Sequence, residues 1–207
     1  MKQLRVGIAL FCIALFASPL RGESSTASWT YVLDDDGIKV WRRDTPGQGL
    51  PGFRGEVVIA APASVIVDEL KKIEGHTEWM HRCAAAEAVK RFDGDHVIVY
   101  NRTDAPWPVW DRDVILDTRF EHAADGGITL SFRNDNPKLR PLPERVVRMP
   151  RLEGFYKIRQ LEPARTRVVY QVDADIGGSV PKWMAERVVR DMPHETLSRL
   201  RARTSGR

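Results

Sequence analysis

Three stretches of strict alternation set most of what this chain can become. From Val114 to His122, the residues Val114, Leu116, Thr118 and Phe120 fall on one side of an extended chain, with Ile115, Asp117, Arg119 and Glu121 on the other. Successive side chains of a strand point to opposite faces, so this is the pattern of a half-buried strand. Ala124 to Gly127 is a turn, after which Ile128, Leu130 and Phe132 alternate with Thr129, Ser131 and Arg133. Val168, Tyr170 and Val172 then alternate with Arg167, Val169, Gln171 and Asp173. Strands with one polar face and hairpin-length turns predict an antiparallel sheet.

The same rules extend the sheet in both directions. Ile38 to Trp41 follows an Asp-rich turn, and Phe53 to Ala60, Ala86 to Phe92 and His96 to Thr103 read as further strands. Arg145 to Met149 and Gly154 to Gln160 read as one bent strand or two. The period changes at two places. After Pro62, which suits a first helical turn, Ile66, Leu70 and Ile73 recur at helical spacing and predict a helix of about three turns that ends at Gly75. A short second helix is expected over Thr77 to Arg82. Val180, Met184, Val188 and Met192 step by four, and Leu197 and Leu200 continue that side, so a long terminal helix is expected. Pro193 lies inside it and is expected to kink or break it near Asp191. Strands, two helices, a run of hairpins and one long helix make an α+β fold. A helix lying across a curved sheet encloses an interior, and alternation alone does not say whether that interior is solid or hollow.

Tyr100 to Val114, YNRTDAPWPVWDRDV, is the loop that stands out. It carries Trp107 and Trp110 on a proline-stiffened connection between two strands. Two indoles are costly to leave in water, so the loop is expected either to pack on a core or to cover a cavity. In the exit Asp111-Arg112-Asp113, the two acids share a face and Arg112 opposes them, which reads as a structural brace rather than a paired-carboxylate site. Arg102 lies on the face of His96, Ile98 and Tyr100, and Arg148 lies within an otherwise apolar strand. A buried guanidinium needs a partner, either a protein carboxylate or a ligand headgroup.

The N-terminus points to export. Met1 to Arg5 is positively charged, Val6 to Ala17 is an apolar run, and small or turn-forming residues follow. Residues 1–22 are therefore expected to be a cleaved signal peptide, with 23–27 a loose arm and 28–204 the folded domain. The run is too short for a helix to span a bilayer core of roughly 30 Å. A periplasmic or secreted location follows. Removing Lys2, Arg5 and Arg21 and no acid takes the formal charge from +4 to +1, which leaves no case for nucleic acid. One cysteine, Cys83, remains in the expected mature chain, so no internal disulfide can form. His76 and His81 are five apart rather than four, and there is no HExxH, CxxC, GxSxG or glycine-rich phosphate loop. No metal site and no cofactor are expected.

An ordered set of segments carries a resemblance. It comprises Trp29 with Asp36-Gly-Ile-Lys-Val40, Val99-Tyr100 with Pro106-Trp-Pro108 and Asp111-Arg-Asp-Val114, and Val147-Arg148 with Gly154-Phe-Tyr-Lys-Ile158. Thr166 to Tyr170, Ile176 to Trp183, and Pro193 with Thr196-Leu197 and Leu200-Arg201 complete it. Over about residues 28–203 the chain resembles the START family, the domain related to steroidogenic acute regulatory protein, in its single-domain bacterial form. The resemblance implies a helix-grip fold, a curved antiparallel sheet gripping a long C-terminal helix around a hydrophobic cavity. It implies non-enzymatic binding, with transfer, of a lipid or other hydrophobic small molecule. The 104–110 loop and the C-terminal helix would form the entrance, with transient contact at a membrane surface and a monomeric protein.

The expected cavity residues are Tyr100, Arg102, Leu116, Thr118, Phe120, Leu130, Phe132, Arg148, Tyr156, Tyr170 and Val172. Trp107, Trp110, Trp183, Met184 and Val188 are the expected gate. Animal sterol-binding members carry a buried acid/base pair beside the loop. Thr118 falls near the basic position here, and Arg102 is the possible substitute. The alternative is a helix-grip enzyme, such as a cyclase or dehydratase, whose acid–base candidates are His96, Tyr100 and Arg102.

Overall fold

The computed structural model describes residues 28–44, 50–178 and 180–206. The segment read as a signal peptide and arm lies outside the described residues. Among the described residues, ten strands form one sheet: β1 (Thr30–Asp35), β2 (Ile38–Arg43), β3 (Gly52–Ile59), β4 (Cys83–Arg91), β5 (His96–Thr103), β6 (Asp111–His122), β7 (Ile128–Asn134), β8 (Val146–Arg148), β9 (Arg151–Glu162) and β10 (Arg165–Asp175). The described residues also form three α-helices: α1 (Ala63–Lys71), α2 (His76–Trp79) and α3 (Lys182–Thr204). The strand order is β1-β2-β3-β10-β9-β7-β6-β5-β4, with β8 lying parallel to the start of β6. The other pairings are antiparallel, as the alternation predicts.

The helical segment between β3 and β4 is shorter and more broken than its periodicity suggests. α1 ends at Lys71, and the 3-10 turn Ile73–Gly75 links it to α2. Pro62 caps α1 with extended backbone, as its fixed φ favours. Glu69 on α1 is buried among apolar neighbours and is held by Lys72 at 3.0 Å and by Arg203 near the end of α3. That ion pair ties the two helices together.

Pro193 does not break α3, which runs from Lys182 to Thr204. Proline removes one N–H and so leaves the carbonyl of Val189 without its usual helical donor. Packing outweighs that loss, because the buried Pro193 ring and Leu197 sit directly on Gly55 of β3. A Cβ at Gly55 would lie 2.7 Å from Leu197 Cδ1 and 3.0 Å from Pro193 Cβ. The glycine therefore lets the helix approach the strand backbone. Leu197 and Leu200 are fully buried in the main core with Val40, Val57, Ile59 and Ile66. This core fills the β2-β3-β10 half of the sheet, beneath the C-terminal half of α3. A cavity opens beneath the N-terminal half of α3.

Candidate functional site: an apolar cavity under the terminal helix

Nearly the whole width of the sheet contributes side chains to one interior cavity, which requires the sheet to curve. The cavity has a volume of about 220 Å³. Its wall takes Val114, Leu116, Thr118 and Phe120 from β6, Leu130 and Phe132 from β7, Tyr156 from β9, and Tyr170 and Val172 from β10. Val97, Val99 and Asn101 of β5 and Cys83 of β4 form the far side. Leu70, Ile73, His76 and Met80 close one flank, and Met184, Val188 and Met192 of α3 form the roof. The cross-strand register explains the sorting. Val99 pairs with Leu116 and Tyr170 with Tyr156, so each pair shares the inner face.

Six of the expected site residues do not reach this space, and each has a physical reason. Tyr100 pairs with Ile115, not Leu116, and therefore lies on the outer face with Ile98, beneath the Arg140 guanidinium at 4.2 Å. Arg102 shares that face, with Nε 3.4 Å from the Asp111 carboxylate. Arg148 stands on β8 and grips the fully buried Asp113 with two bonds of 2.7 and 2.8 Å. Neither guanidinium lines the cavity. Trp107, Trp110 and Trp183 face solvent, at 88%, 57% and 49% exposure, so the indoles themselves do not close the entrance. Ala105 and Pro106 of the loop, together with Met184 and Val188 of α3, line the cavity instead. The peptide bond between Trp107 and Pro108 is cis. His96 also faces outward, 2.8 Å from Asp117 and stacked on Phe92. All three side chains considered for acid–base chemistry therefore lie outside the cavity.

Besides charged side chains, three sets of polar groups face inward. The first is a pair of phenols. Tyr156 and Tyr170 stack with centroids 4.3 Å apart and planes 9° apart. Burial pushes both phenols well above their ordinary pKa, so both stay protonated. The Tyr156 hydroxyl is buried without a well-formed hydrogen bond to any described residue. The second set is Cys83, Asn101 and Thr118. Burial raises the Cys83 thiol, which accepts from Asn101 Nδ2 at 3.4 Å and is thus an unreactive thiol rather than a nucleophile. Thr118 donates to the Val97 carbonyl at 2.6 Å, so its hydroxyl is satisfied within the protein. The third set is His76, which bonds the Leu70 carbonyl at 2.9 Å, and His81. Burial lowers the pKa of both, with Arg199 and Arg82 adding to the effect at His81.

The chief residue that sequence reasoning missed is Arg112. It shares the inner face with Val114 and Leu116, and its exposure is 6%. Its guanidinium donates to the carbonyls of Trp110 at 2.5 Å, Gly177 at 3.2 Å and Ile176 at 3.4 Å. It thus joins the 104–110 loop to the segment leading into α3. Gly177 and Gly178 have φ of +63° and +67°, which favours glycine where these carbonyls turn toward the arginine. The clue was present: Arg112 is two residues from Val114 on an alternating strand.

An antiparallel sheet that curves over a cavity and is roofed by one long C-terminal helix defines the helix-grip class of α+β domain. The START domain model matches residues 20–205, and the chain belongs to the START domain family. An uncharacterised protein of Pseudomonas aeruginosa is 33% identical over 181 residues, which is 87% of this chain and 89% of that one. A STAR-related lipid transfer protein from Xanthomonas axonopodis, solved as fragment 25–204, superposes with a TM-score of 0.76 at 36% identity, covering 84% of this chain and 97% of that one. Human StAR-related lipid transfer protein 5 shares the fold, with a TM-score of 0.77 at 17% identity over 87% of this chain and 88% of that one.

Proposed function

We propose that this protein binds a lipid or other hydrophobic small molecule in the cavity and transfers it, without chemical change, in the periplasm or after secretion. The observation that carries the reading is the wall itself: aliphatic and aromatic side chains from five strands line one hollow. Each Å² of ligand surface moved from water to such a wall is worth about 25 cal/mol before ordering costs. The family relationship supports the same reading, since the Xanthomonas relative is described as a lipid transfer protein.

Exchange requires a gap between Ala105–Pro106 and the Met184–Val188 face of α3. Trp107, Trp110 and Trp183 are exposed on these same two elements, together with Lys182 and Arg187. Indoles flanked by cations suit the boundary between acyl chains and headgroups. In this reading the tryptophans touch the membrane and the residues behind them open. A vesicle-to-vesicle assay with a fluorescent lipid tests both parts. Transfer should rise in proportion to protein, and the triple variant Trp107→Ala, Trp110→Ala, Trp183→Ala should slow it several-fold while leaving equilibrium lipid loading intact. Transfer no faster than the protein-free rate would contradict the transfer role, and an undiminished rate in the triple variant would contradict the membrane contact.

A further inference from the structure

We propose that Arg112 is an anchor for an anionic group, a carboxylate or phosphate, carried at the end of the hydrophobic ligand. This deepens the cavity reading and rests on it. Arg112 is the buried cation that lines the cavity while lacking a carboxylate within ion-pair distance among the described residues. The other inward or rim cations are spoken for: Lys71 by Asp95 at 2.8 Å, Arg82 by Asp104 at 3.1 Å, and Arg91 by Glu74 at 3.1 Å. Nearby Arg187 stacks on Trp183 and adds a second positive charge on α3.

A guanidinium carries five N–H donors in a planar fork. Three of its bonds at Arg112 go to neutral carbonyls, which leaves two N–H groups without a partner among the described residues, and Asp111 acts on the charge without forming an ion pair. Burying a charge is tolerated when an opposite charge compensates it, and a fork matches an oxyanion in two-bond geometry. The carbonyl contacts orient the fork at the junction of the loop and α3, where a ligand tail would run inward along Leu116, Phe132 and Tyr156. The same contacts make the anchor a clasp, since an anion held there bears on the residue that ties the two sides of the entrance together.

Two probes of equal chain length separate the head from the tail. Oleate and oleyl alcohol, each delivered from cyclodextrin to the intact folded protein, are compared by native mass spectrometry at equilibrium. Oleate should bind at least tenfold tighter than the alcohol. That preference should fall below threefold in Arg112→Gln and persist in Arg112→Lys. The comparison on the unmodified protein holds even if Arg112→Gln fails to fold, and Arg187→Gln gives a second, surface variant that should weaken oleate modestly. Equal binding of the two probes would overturn the anchor and leave the cavity reading standing. A preference that survives Arg112→Gln would overturn the assignment to this residue. Binding of neither probe would overturn the cavity reading and the anchor with it. Inorganic phosphate alone should not compete with oleyl alcohol or bind below millimolar concentration. Tight phosphate binding that persists with oleyl alcohol in the cavity would overturn the lipid headgroup in favour of a free anion.

Discussion

Arg148 and Arg102 show how differently two arginines beside one loop behave. Arg148 closes a two-bond ion pair on Asp113, whose carboxylate has no exposed surface. Removing the arginine strands a buried charge, so Arg148→Ala should cost about 3 to 5 kcal/mol. The Arg102–Asp111 pair is longer and half-exposed, so Arg102→Ala should cost below about 1 kcal/mol. Urea denaturation of the two variants reads the contrast, and equal losses would contradict it. His76 supplies a pH signature. Burial lowers its pKa below the ordinary value near 6.5, so the unfolded chain takes up a proton more readily than the folded one. Its contribution to stability is present above about pH 6.5 and is lost as pH falls toward the lowered value. Thermal unfolding should move to lower temperature over that window, and His76→Gln should flatten the slope. A slope unchanged by the substitution would point to His81 or the carboxylates instead.

At the scale of elements, the legible parts were those with one polar face. On β6, β7 and β10 the alternation sorted Leu116, Thr118, Phe120, Leu130, Phe132, Tyr170 and Val172 onto one face, and these residues line the cavity. β5 is apolar on both faces, with Val97 and Val99 inside and Ile98 and Tyr100 outside, so its inward face was hidden until the register with β6 was known. Arg148 could not be placed for a related reason. β8 has only three residues, and its parallel pairing with β6 follows from no local pattern. The outcome at Pro193 turned on a partner distant in sequence. Gly55 lets the ring dock, and local propensity alone would have ended the helix. Gly55→Ala should therefore push α3 off the sheet and cost about 1 to 3 kcal/mol, read as a lower denaturation midpoint. An unchanged midpoint would mean that the helix moves freely over β3.

For the whole molecule, the division of labour follows from where α3 packs. Its C-terminal half is seated on β2 and β3 through Pro193, Leu197 and Leu200, and the Glu69–Arg203 ion pair ties its end to α1. Its N-terminal half, Met184 to Met192, joins the core through Ala185 and Val189 but turns Met184, Val188 and Met192 to the cavity, so it is seated less completely. Motion is therefore expected at the end bearing Trp183 and opposite Pro106, which is where exchange is proposed. Sequence alone could not separate a solid interior from a hollow one, because both demand inward apolar residues. The indoles that drew attention to the loop turned out to face water, and the closure falls to their smaller neighbours.

The central claim is that the hollow exists to hold a hydrophobic molecule. Native mass spectrometry of the protein purified under gentle conditions from its own host tests it most directly. One molecule of a lipid or similar apolar compound should travel with each folded chain and be lost on denaturation. Apo protein alone, even after incubation with the host's total lipid extract, would contradict the account.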